Sequence, residues 1–241
     1  MEHTIDNISK HPDNWIVSEI TPEQGSEDKV IKVELKPLDV SPYCSGIFKK
    51  CNKSLLMSAT ILDKDAFCAS VGLTPADVKF IQVDSDFPLE NRPIYPLGVA
   101  QLNYKTLQQD VVKLKIIEKI DRIMTHFKDH KGIIHLTSYQ QLQWVRNGIS
   151  KDNRKRLIET DPEIQRDEII SEHINATKRT VLISPSLHLG LDLHDDLSRF
   201  QIIAKVPYPS MGDSWIAKKF GRNKQWYNWQ TALRLVQAVD L

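Results

Sequence analysis

Charge of one sign, cysteine and long apolar runs are all scarce in this 241-residue chain. Its 32 lysines and arginines nearly balance 31 aspartates and glutamates, so any contact with nucleic acid must be local rather than the effect of a general basic field. No apolar run reaches membrane-spanning length, and the polar start MEHTIDNISK is not that of a signal peptide. The three cysteines, Cys44, Cys51 and Cys68, lack metal-type spacing, which favours free thiols in a reducing compartment, the cytoplasm.

Several catalytic signatures are also missing. The sequence has no G-x-x-x-x-G-K-S/T phosphate loop and no strand that ends in an Asp-Glu pair, so we expect that the chain alone cannot position and activate ATP. It has no G-x-S-x-G turn of serine hydrolases. Four neighbouring side chains, Asp192, His194, Asp195 and Asp196, are of metal-ligating types. Consecutive acids on a loop are usually solvated or capping, however, and no distant fourth ligand is evident, so no metal site is predicted.

The stretch from Arg179 to Ser210 contains two short apolar runs, residues 180–183 and 201–206. The first ends in Ser184, Pro185 and Ser186, and the second ends in Pro-Tyr-Pro. Such runs bounded by turn residues are typical of buried parallel strands, whose carboxyl ends bear ligand-binding loops. Between them, Gly190 tolerates backbone conformations that a side chain forbids, and Asp192 can accept a hydrogen bond from a sugar hydroxyl or orient a cation.

The N-terminal third predicts more strands and two helices. Residues 15–20 and 30–35 read as a strand pair, and Ser41-Pro42 begins a short helix to about residue 50. Residues 53–60, KSLLMSAT, predict a buried strand, and residues 79–83 are a further strand candidate. Between these runs, Asp63 caps a helix that closes at Gly72. The proline-containing segment 84–97 reads as a crossover, with a domain boundary near Ser85.

The middle of the chain predicts helices alternating with strands. The longest helix is predicted over 106–127, with one apolar stripe formed by Leu107, Val111, Leu114, Ile117, Ile120, Met124 and Phe127. A strand over 132–136 precedes a helix that reaches about residue 149, and the basic cluster 151–156, KDNRKR, reads as a solvated turn. A further amphipathic helix starts at Asp161-Pro162, and its predicted buried residues are Ile164, Ile169, Ile170 and Ile174.

Residues 211–229 interleave cations with aromatic side chains, an arrangement that can stack bases and neutralise phosphates. The alternative is that the tryptophans pack into a core, which we favour for Trp226 and Trp229. The last helix is predicted over 227–238.

Three of these segments together resemble helicase motifs. MSATIL resembles motif III, KGIIHLTSYQQLQWV resembles motif IV, and the serine-rich strand end with Gly-x-Asp and a strand closing in Pro-Tyr-Pro resembles motif V. Their order is that of XPD/DinG-type superfamily 2 DNA helicases. The resemblance covers roughly residues 30–238 and corresponds to the C-terminal half of such an enzyme, with SDFPLENRPIY as the passage between its motor domains.

The resemblance implies roles for particular residues. Ser58 and Thr60 would couple the nucleotide and nucleic-acid sites, and Gly190 and Asp192 would face the nucleotide. The residues that would hold the DNA strand are Thr137, Ser138, Tyr139, Ser184 and Ser186. Gln237 would belong to motif VI, where Asp240 and Leu241 occupy the positions of the family's Gly-Arg, and Leu189 replaces a usual acid before the glycine. The family's iron–sulfur cysteines lie in its first half and are not assigned to this chain.

We therefore expect an α/β fold with a RecA-like parallel sheet flanked by helices and a small N-terminal strand-containing piece. Residues 1–85 would be the tail of the first motor domain, or an arch-adjacent segment, and 86–241 a C-terminally truncated second RecA-like domain. The resemblance implies an ATP- and Mg²⁺-dependent 5′-to-3′ DNA helicase with single-stranded DNA and the first motor domain as partners and no membrane, inactive as this chain alone. The alternative is a non-catalytic RecA-like module that binds nucleic acid or protein.

Overall fold

The computed structural model describes residue 6 and residues 8–20, 32–84, 88–91, 93–161, 163–187 and 193–239. The predicted Gly190 and Asp192, together with Leu189, Asp240 and Leu241, lie outside these residues. Contacts divide the chain into two units: the first comprises residues 1–82 and 208–233, and the second comprises residues 83–207 and 234–241. No helix of the described residues is long and apolar enough to cross a membrane.

The first unit contains an antiparallel strand pair and short helices. Its elements are β1 (Trp15–Ile20), β2 (Lys32–Pro37), α1 (Ser41–Phe48), α2 (Lys64–Val71), α8 (Ser214–Arg222) and the first part of α9 (Lys224–Val239). The predicted strand pair and both predicted helices are confirmed. The side chain of Asp63 accepts a hydrogen bond from the Ala66 amide, and Gly72 ends α2 in the left-handed region with a φ of 73°.

The second unit contains a four-stranded sheet. Its elements are α3 (Tyr104–Leu107), α4 (Asp110–His126), β3 (Gly132–His135), α5 (Tyr139–Gly148), α6 (Lys151–Arg154), β4 (Leu157–Glu159), α7 (Arg166–Asn175), β5 (Val181–Ser184) and β6 (Phe200–Ile203). The strands follow the order β4-β5-β3-β6, and every neighbouring pair is parallel. The predicted α/β class with a helix-flanked parallel sheet and a small N-terminal strand pair is confirmed.

Both faces of the sheet are covered by apolar side chains, which explains why every residue of β3 and β5 is buried. One face packs against α4 and α5; its buried cluster includes Ile116, Ile120, Met124, Leu142, Val145, Ile134 and Ile183. The other face packs against α7; its cluster consists of Ile133, Ile158, Ile169, Leu182, Leu187 and Leu193. Successive strand residues alternate between the two clusters because strand side chains point to opposite faces.

Two predicted strands are wrong. Residues 53–60 and 79–83 are not strands, and their apolar side chains are exposed: Leu55 and Met57 by 82% each, Ile81 by 71% and Val83 by 85%. An apolar run forms a strand only where a neighbouring strand takes up its backbone hydrogen bonds, and the described residues provide none here. The composition of these runs is strand-like, but their surroundings in this chain do not make them strands.

The predicted helical faces also need correction. The helix expected over 106–127 is two helices, α3 and α4, separated at Gln108 and Gln109. On α4, Val111 and Leu114 are 64% exposed, whereas Val112 and Ile116 are buried with Ile120 and Met124. Adjacent apolar residues at 111 and 112 allow two different stripes, and packing against the sheet selects the second.

On α7 only one predicted contact is fully buried. Ile169 is buried, Ile170 is half-buried, and Ile164 and Ile174 are 47% and 42% exposed. The helix begins at Arg166, so Ile164 precedes it, and Pro162 lies outside the described residues. The helical face toward the sheet is therefore narrower than the sequence predicts.

The basic cluster 151–156 is more than a solvated turn. Residues Lys151–Arg154 form α6, and Arg156 is half-buried. Its guanidinium donates hydrogen bonds of 2.6–3.0 Å to the carbonyl oxygens of Met124, Phe127, His130 and Arg179. Arg156 thus ties the carboxyl end of α4 to the sheet.

Substituting Gly132 tests the packing at the start of β3. A Cβ at this position would lie 2.5–2.7 Å from ring carbons of Phe200, so Gly132→Ala must displace a buried ring between two strands. We expect a loss of about 1–3 kcal/mol in the free energy of unfolding, measured by chemical denaturation. Gly221→Ala in α8 is the matched control, since nothing lies within 4 Å of its added Cβ, and it should leave stability unchanged or slightly higher. Equal effects of the two substitutions would contradict the packing.

Asp121 on α4 supplies a second, pH-dependent test. Its carboxylate accepts hydrogen bonds from the amide and hydroxyl of Ser150, at 3.0 and 2.8 Å, and from Asn153 Nδ2 at 2.8 Å. Burial acts to raise the pKa of Asp121, but these hydrogen bonds outweigh it and hold the pKa below its usual value of 3.8. A carboxyl group whose pKa is lower in the folded than in the unfolded state stabilises the fold at pH values above its unfolded-state pKa. This stabilisation is lost as the pH falls through the folded-state pKa.

We therefore expect Asp121→Asn to cost about 1–3 kcal/mol at pH 7, because a neutral amide oxygen is a weaker acceptor than a carboxylate for the three hydrogen bonds that share Oδ1. The difference from the unchanged protein should shrink as the pH falls below 3.8. Denaturation curves at a series of pH values measure it. A difference that stays constant down to the lowest pH would show that the carboxylate charge is not the stabilising feature.

Candidate nucleic-acid interface

Two polar loops leave the sheet at the same edge. β3 and β5 are parallel neighbours in which His135 is opposite Ser184, so the residues that follow each strand emerge side by side. The Leu136 amide donates a 2.8 Å hydrogen bond to the Ser184 carbonyl and extends the strand pairing by one residue. The edge formed by the carboxyl ends of parallel strands is where ligands bind in open α/β sheets.

The first loop is tied to the amino terminus of α5. Ser138 is the N-cap of this helix, and its hydroxyl accepts a 3.1 Å hydrogen bond from the Gln141 amide. The Gln141 side chain folds back, and its Oε1 accepts from the backbone amide and the hydroxyl of Thr137, at 2.9 and 3.1 Å. Thr137, Ser138 and Tyr139 are exposed. The helix therefore presents its positive amino-terminal end beside exposed hydroxyls, an arrangement that favours anions.

The second loop is shaped by a buried serine. The Ser184 hydroxyl accepts 2.9 Å hydrogen bonds from the backbone amides of Ser186 and Leu187, and Thr160 Oγ1 donates to it at 3.0 Å. Ser184 is only 1% exposed, whereas Ser186 is exposed. Ser184 thus holds the turn, and Ser186 is the serine of this loop that a ligand can reach.

Beyond this turn, the loop that would contain Gly190 and Asp192 lies outside the described residues. The chain resumes at Leu193, which is buried, and makes a short 3-10 turn at Asp195–Leu197. His173 on α7 fixes this turn through a 2.8 Å contact between its Nε2 and the Leu197 carbonyl. Its Nδ1 lies 2.9 Å from Thr180 Oγ1, and burial lowers the pKa of the imidazole. A neutral imidazole satisfies both contacts, as donor through Nε2 and acceptor through Nδ1.

The acidic residues of this turn do not form a metal site in the described part of the chain. No group of three or more His, Cys, Asp or Glu side chains there is arranged to hold a metal ion. Asp196 instead pairs with Arg199 at 2.7 Å, and this contact lowers the pKa of the Asp196 carboxyl.

Three further predicted residues, Ser58, Thr60 and Gln237, do not belong to the two loops. In the first unit, Ser58 is exposed, and its hydroxyl accepts a 3.2 Å hydrogen bond from the amide of Thr60, which is buried. In the second unit, Gln237 is half-buried in the last turns of α9. These positions leave the predicted nucleotide roles untested.

The tryptophans of residues 211–229 anchor the first unit. Trp215 Nε1 donates to the Pro37 carbonyl at 2.8 Å, and Trp229 Nε1 donates to the Ile61 carbonyl at 2.9 Å. Both indoles are half-buried. Packing, rather than base stacking, is therefore what the structure shows for Trp229.

Three residues of this region escaped sequence analysis: Gln141, Thr160 and His173. Thr160 follows β4, a strand of three residues that is too short for a periodic pattern. In the sequence Gln141 is one of several polar residues at the start of a helix. In the structure its side chain is buried, with only 3% of its surface exposed. A glutamine three residues after an N-cap serine is a capping-box signal that could have marked it.

The geometry agrees with a comparison against protein families. No curated protein matches the chain. Residues 121–239 match the model of the helicase C-terminal domain, and this segment contains all four strands of the sheet and both polar loops. The sheet-bearing part of the chain is thus similar to the C-terminal domain of helicases.

Proposed function

We propose that the chain is the C-terminal motor part of an ATP-dependent DNA helicase of the XPD/DinG type, which moves 5′ to 3′ along single-stranded DNA. The supporting observation is the side-by-side exit of two polar loops from β3 and β5, within the segment that matches the helicase C-terminal domain. In this proposal residues 86–241 form the second RecA-like domain, and residues 1–85 belong to the end of the first motor domain.

The DNA strand contacts the two loops through its phosphates. Exposed Thr137 and Ser138, the free amides at the start of α5 and exposed Ser186 supply donors, and Tyr139 lies beside them with 38% of its surface exposed. Ser184 contributes through the shape of its turn, since its hydroxyl is buried. Contacts of this kind do not read base edges, so the interface tolerates any sequence and weakens as salt rises.

ATP and Mg²⁺ require a second domain. The sequence has no phosphate loop, and the described residues provide no group of three metal-ligating side chains. The residues present therefore do not fit a complete ATP site. Gly190, Asp192 and Gln237 are proposed to complete one side of a cleft whose other side carries the phosphate loop, with Ser58 and Thr60 coupling it to the DNA.

The first motor domain is the proposed protein partner. The apolar runs 53–60 and 79–83 have strand-like composition but exposed side chains, above all Leu55 and Met57 at 82%. These runs would be buried if they paired as strands with the sheet of that domain. The exposed apolar side chains of these runs also support the alternative hypothesis, a non-catalytic module that binds a protein and needs no ATP.

Ser138 provides the test of the DNA interface. Ser138→Asp keeps an N-cap acceptor but places a negative charge where a phosphate is proposed to bind, whereas Ser138→Asn keeps the cap without the charge. We expect Ser138→Asp to weaken binding of a fluorescent single-stranded oligonucleotide at least 10-fold in anisotropy titrations, because a hydrogen bond to a charged group is worth about 1.5–3 kcal/mol. Ser138→Asn should weaken binding no more than about threefold, because its neutral amide can still donate to a phosphate.

Salt titrations on the same samples supply a second criterion. The logarithm of the binding constant should fall linearly with the logarithm of salt concentration, with a smaller slope for Ser138→Asp. Binding that does not respond to salt, or that is equal for Asp and Asn at position 138, would contradict the proposed contact.

The chain by itself should not hydrolyse ATP. Without a phosphate loop it has no donors to position the γ-phosphate, so we expect phosphate release at the background rate, with or without single-stranded DNA. A phosphate-release assay across gel-filtration fractions measures this. Turnover that follows the protein peak would overturn the assignment of the chain to half of an ATP cleft.

A further inference from the structure

A half-buried lysine in the first unit, Lys219, has no hydrogen-bond acceptor among the residues that the structure describes. The Nζ of Lys219, on α8, is 4.7 Å from the ring centroids of both Trp215 and Trp226. Cation–π attraction to two indoles holds the ammonium in place. Among the described residues, no carboxylate lies within ion-pair distance of it and no acceptor satisfies its three N–H groups. Burial lowers the pKa of Lys219, and the more distant Asp39 carboxylate opposes this shift.

The ammonium faces a cavity of about 510 Å³. This volume lies within the range of about 300–1,000 Å³ typical of small-molecule sites. The cavity lies entirely within the first unit. It is lined by the segment that joins β2 to α1 and by residues of α2, α8 and the start of α9. The cavity is thus large enough for a small organic molecule and not only for a simple ion.

A second cation lies on the same wall. Arg222 follows Lys219 by three residues on α8, which places both on one side of the helix. Its guanidinium donates to the Asp13 carbonyl through one nitrogen, which leaves further N–H groups for a ligand. Asp39 also lines the cavity, but its two carboxylate oxygens accept 2.9 Å hydrogen bonds from the Ser41 amide and hydroxyl. That carboxylate is therefore already engaged.

The other residues that line the cavity differ in character. α2 contributes the small side chains of Ala66 and Ala69, and Leu38, which is 3% exposed, forms part of the floor. Asp65, in the first turn of α2, adds a carboxylate that requires hydrogen-bond donors from a ligand. A ligand that contacts both the cations and Asp65 carries an anionic group and hydroxyl donors.

We propose that this cavity binds a sugar phosphate, with the phosphate at Lys219 and Arg222 and a sugar hydroxyl donating to Asp65. Lys219 and Arg222 are neighbours on α8 and attract a phosphate, whereas the Asp39 carboxylate already accepts two hydrogen bonds from Ser41. The small residues of α2 leave room for a ring. The site involves none of the loops assigned to DNA, so it does not depend on the proposed helicase function.

Calorimetric titration of the full chain with ribose 5-phosphate and with inorganic phosphate tests the site. Lys219→Met keeps an unbranched apolar stem between the indoles and removes the charge; we expect it to weaken ribose 5-phosphate at least 10-fold. The matched control is Lys218→Met, which changes an exposed lysine on the same helix and should leave affinity within twofold. Arg222→Gln, at an exposed position, should also weaken binding several-fold and serves as the second variant if Lys219→Met unfolds.

Asp65→Asn distinguishes the hydroxyl contact from simple anion binding. It should weaken ribose 5-phosphate several-fold while leaving inorganic phosphate unchanged or tighter, because a repulsive charge is removed. Absence of saturable binding, equal affinity for sulfate and ribose 5-phosphate, or undiminished binding by Lys219→Met would overturn the proposal. Displacement of ribose 5-phosphate by a thymidine oligonucleotide would instead assign the cavity to a nucleic-acid strand and would also overturn it. Oligonucleotide binding by Lys219→Met is measured separately. Because the proposed DNA contacts do not include Lys219, this variant should bind the oligonucleotide normally even where it no longer binds ribose 5-phosphate.

Discussion

The parallel pairing of β3 with β5 is the constraint on which the candidate interface depends. Because His135 is opposite Ser184, the chain leaves both strands at the same height, and the two polar loops become neighbours. A shift of β5 by one residue against β3 would turn Ile183 away from the cluster on α4 and α5 and toward the other face. Burial on both faces therefore fixes the loops in place, and Leu136 and Leu187, which follow the two strands, take part in it.

Side-chain hydrogen bonds outside the sheet fix the ends of the covering helices to it. Arg156 joins four carbonyl groups around the end of α4 and the start of β5, and Lys131, which is 5% exposed, donates from its ammonium to the carbonyls of His173 and Ile174 at the end of α7. Each is a cation at a helix carboxyl terminus, where the helix dipole favours it. Two basic side chains that sequence patterns would assign to solvent are thus structural.

Local chemistry in the sequence was sufficient to predict much of the fold. Short apolar runs with turn residues identified β1, β3, β5 and β6, and the capping residues Asp63 and Ser138 marked helix starts that the structure confirms. Prediction failed where the outcome depended on distant neighbours. Residues 53–60 have the composition of a strand without strand neighbours, β4 is too short to show a period, and α4 offers two apolar stripes of which packing selects one. For the site, the exposed hydroxyls were predictable by type, but the burial of Ser184 and Gln141 followed only from three-dimensional contacts.

The back-folded amide of Gln141 has a kinetic consequence for ligand capture. It clamps both the backbone amide and the hydroxyl of Thr137 to the first turn of α5, so strand end, loop and helix form one rigid corner. A corner that is already ordered loses little conformational entropy when an anion arrives. Association of an anion at this position would then be governed by diffusion and charge rather than by a slow folding of the loop around its ligand.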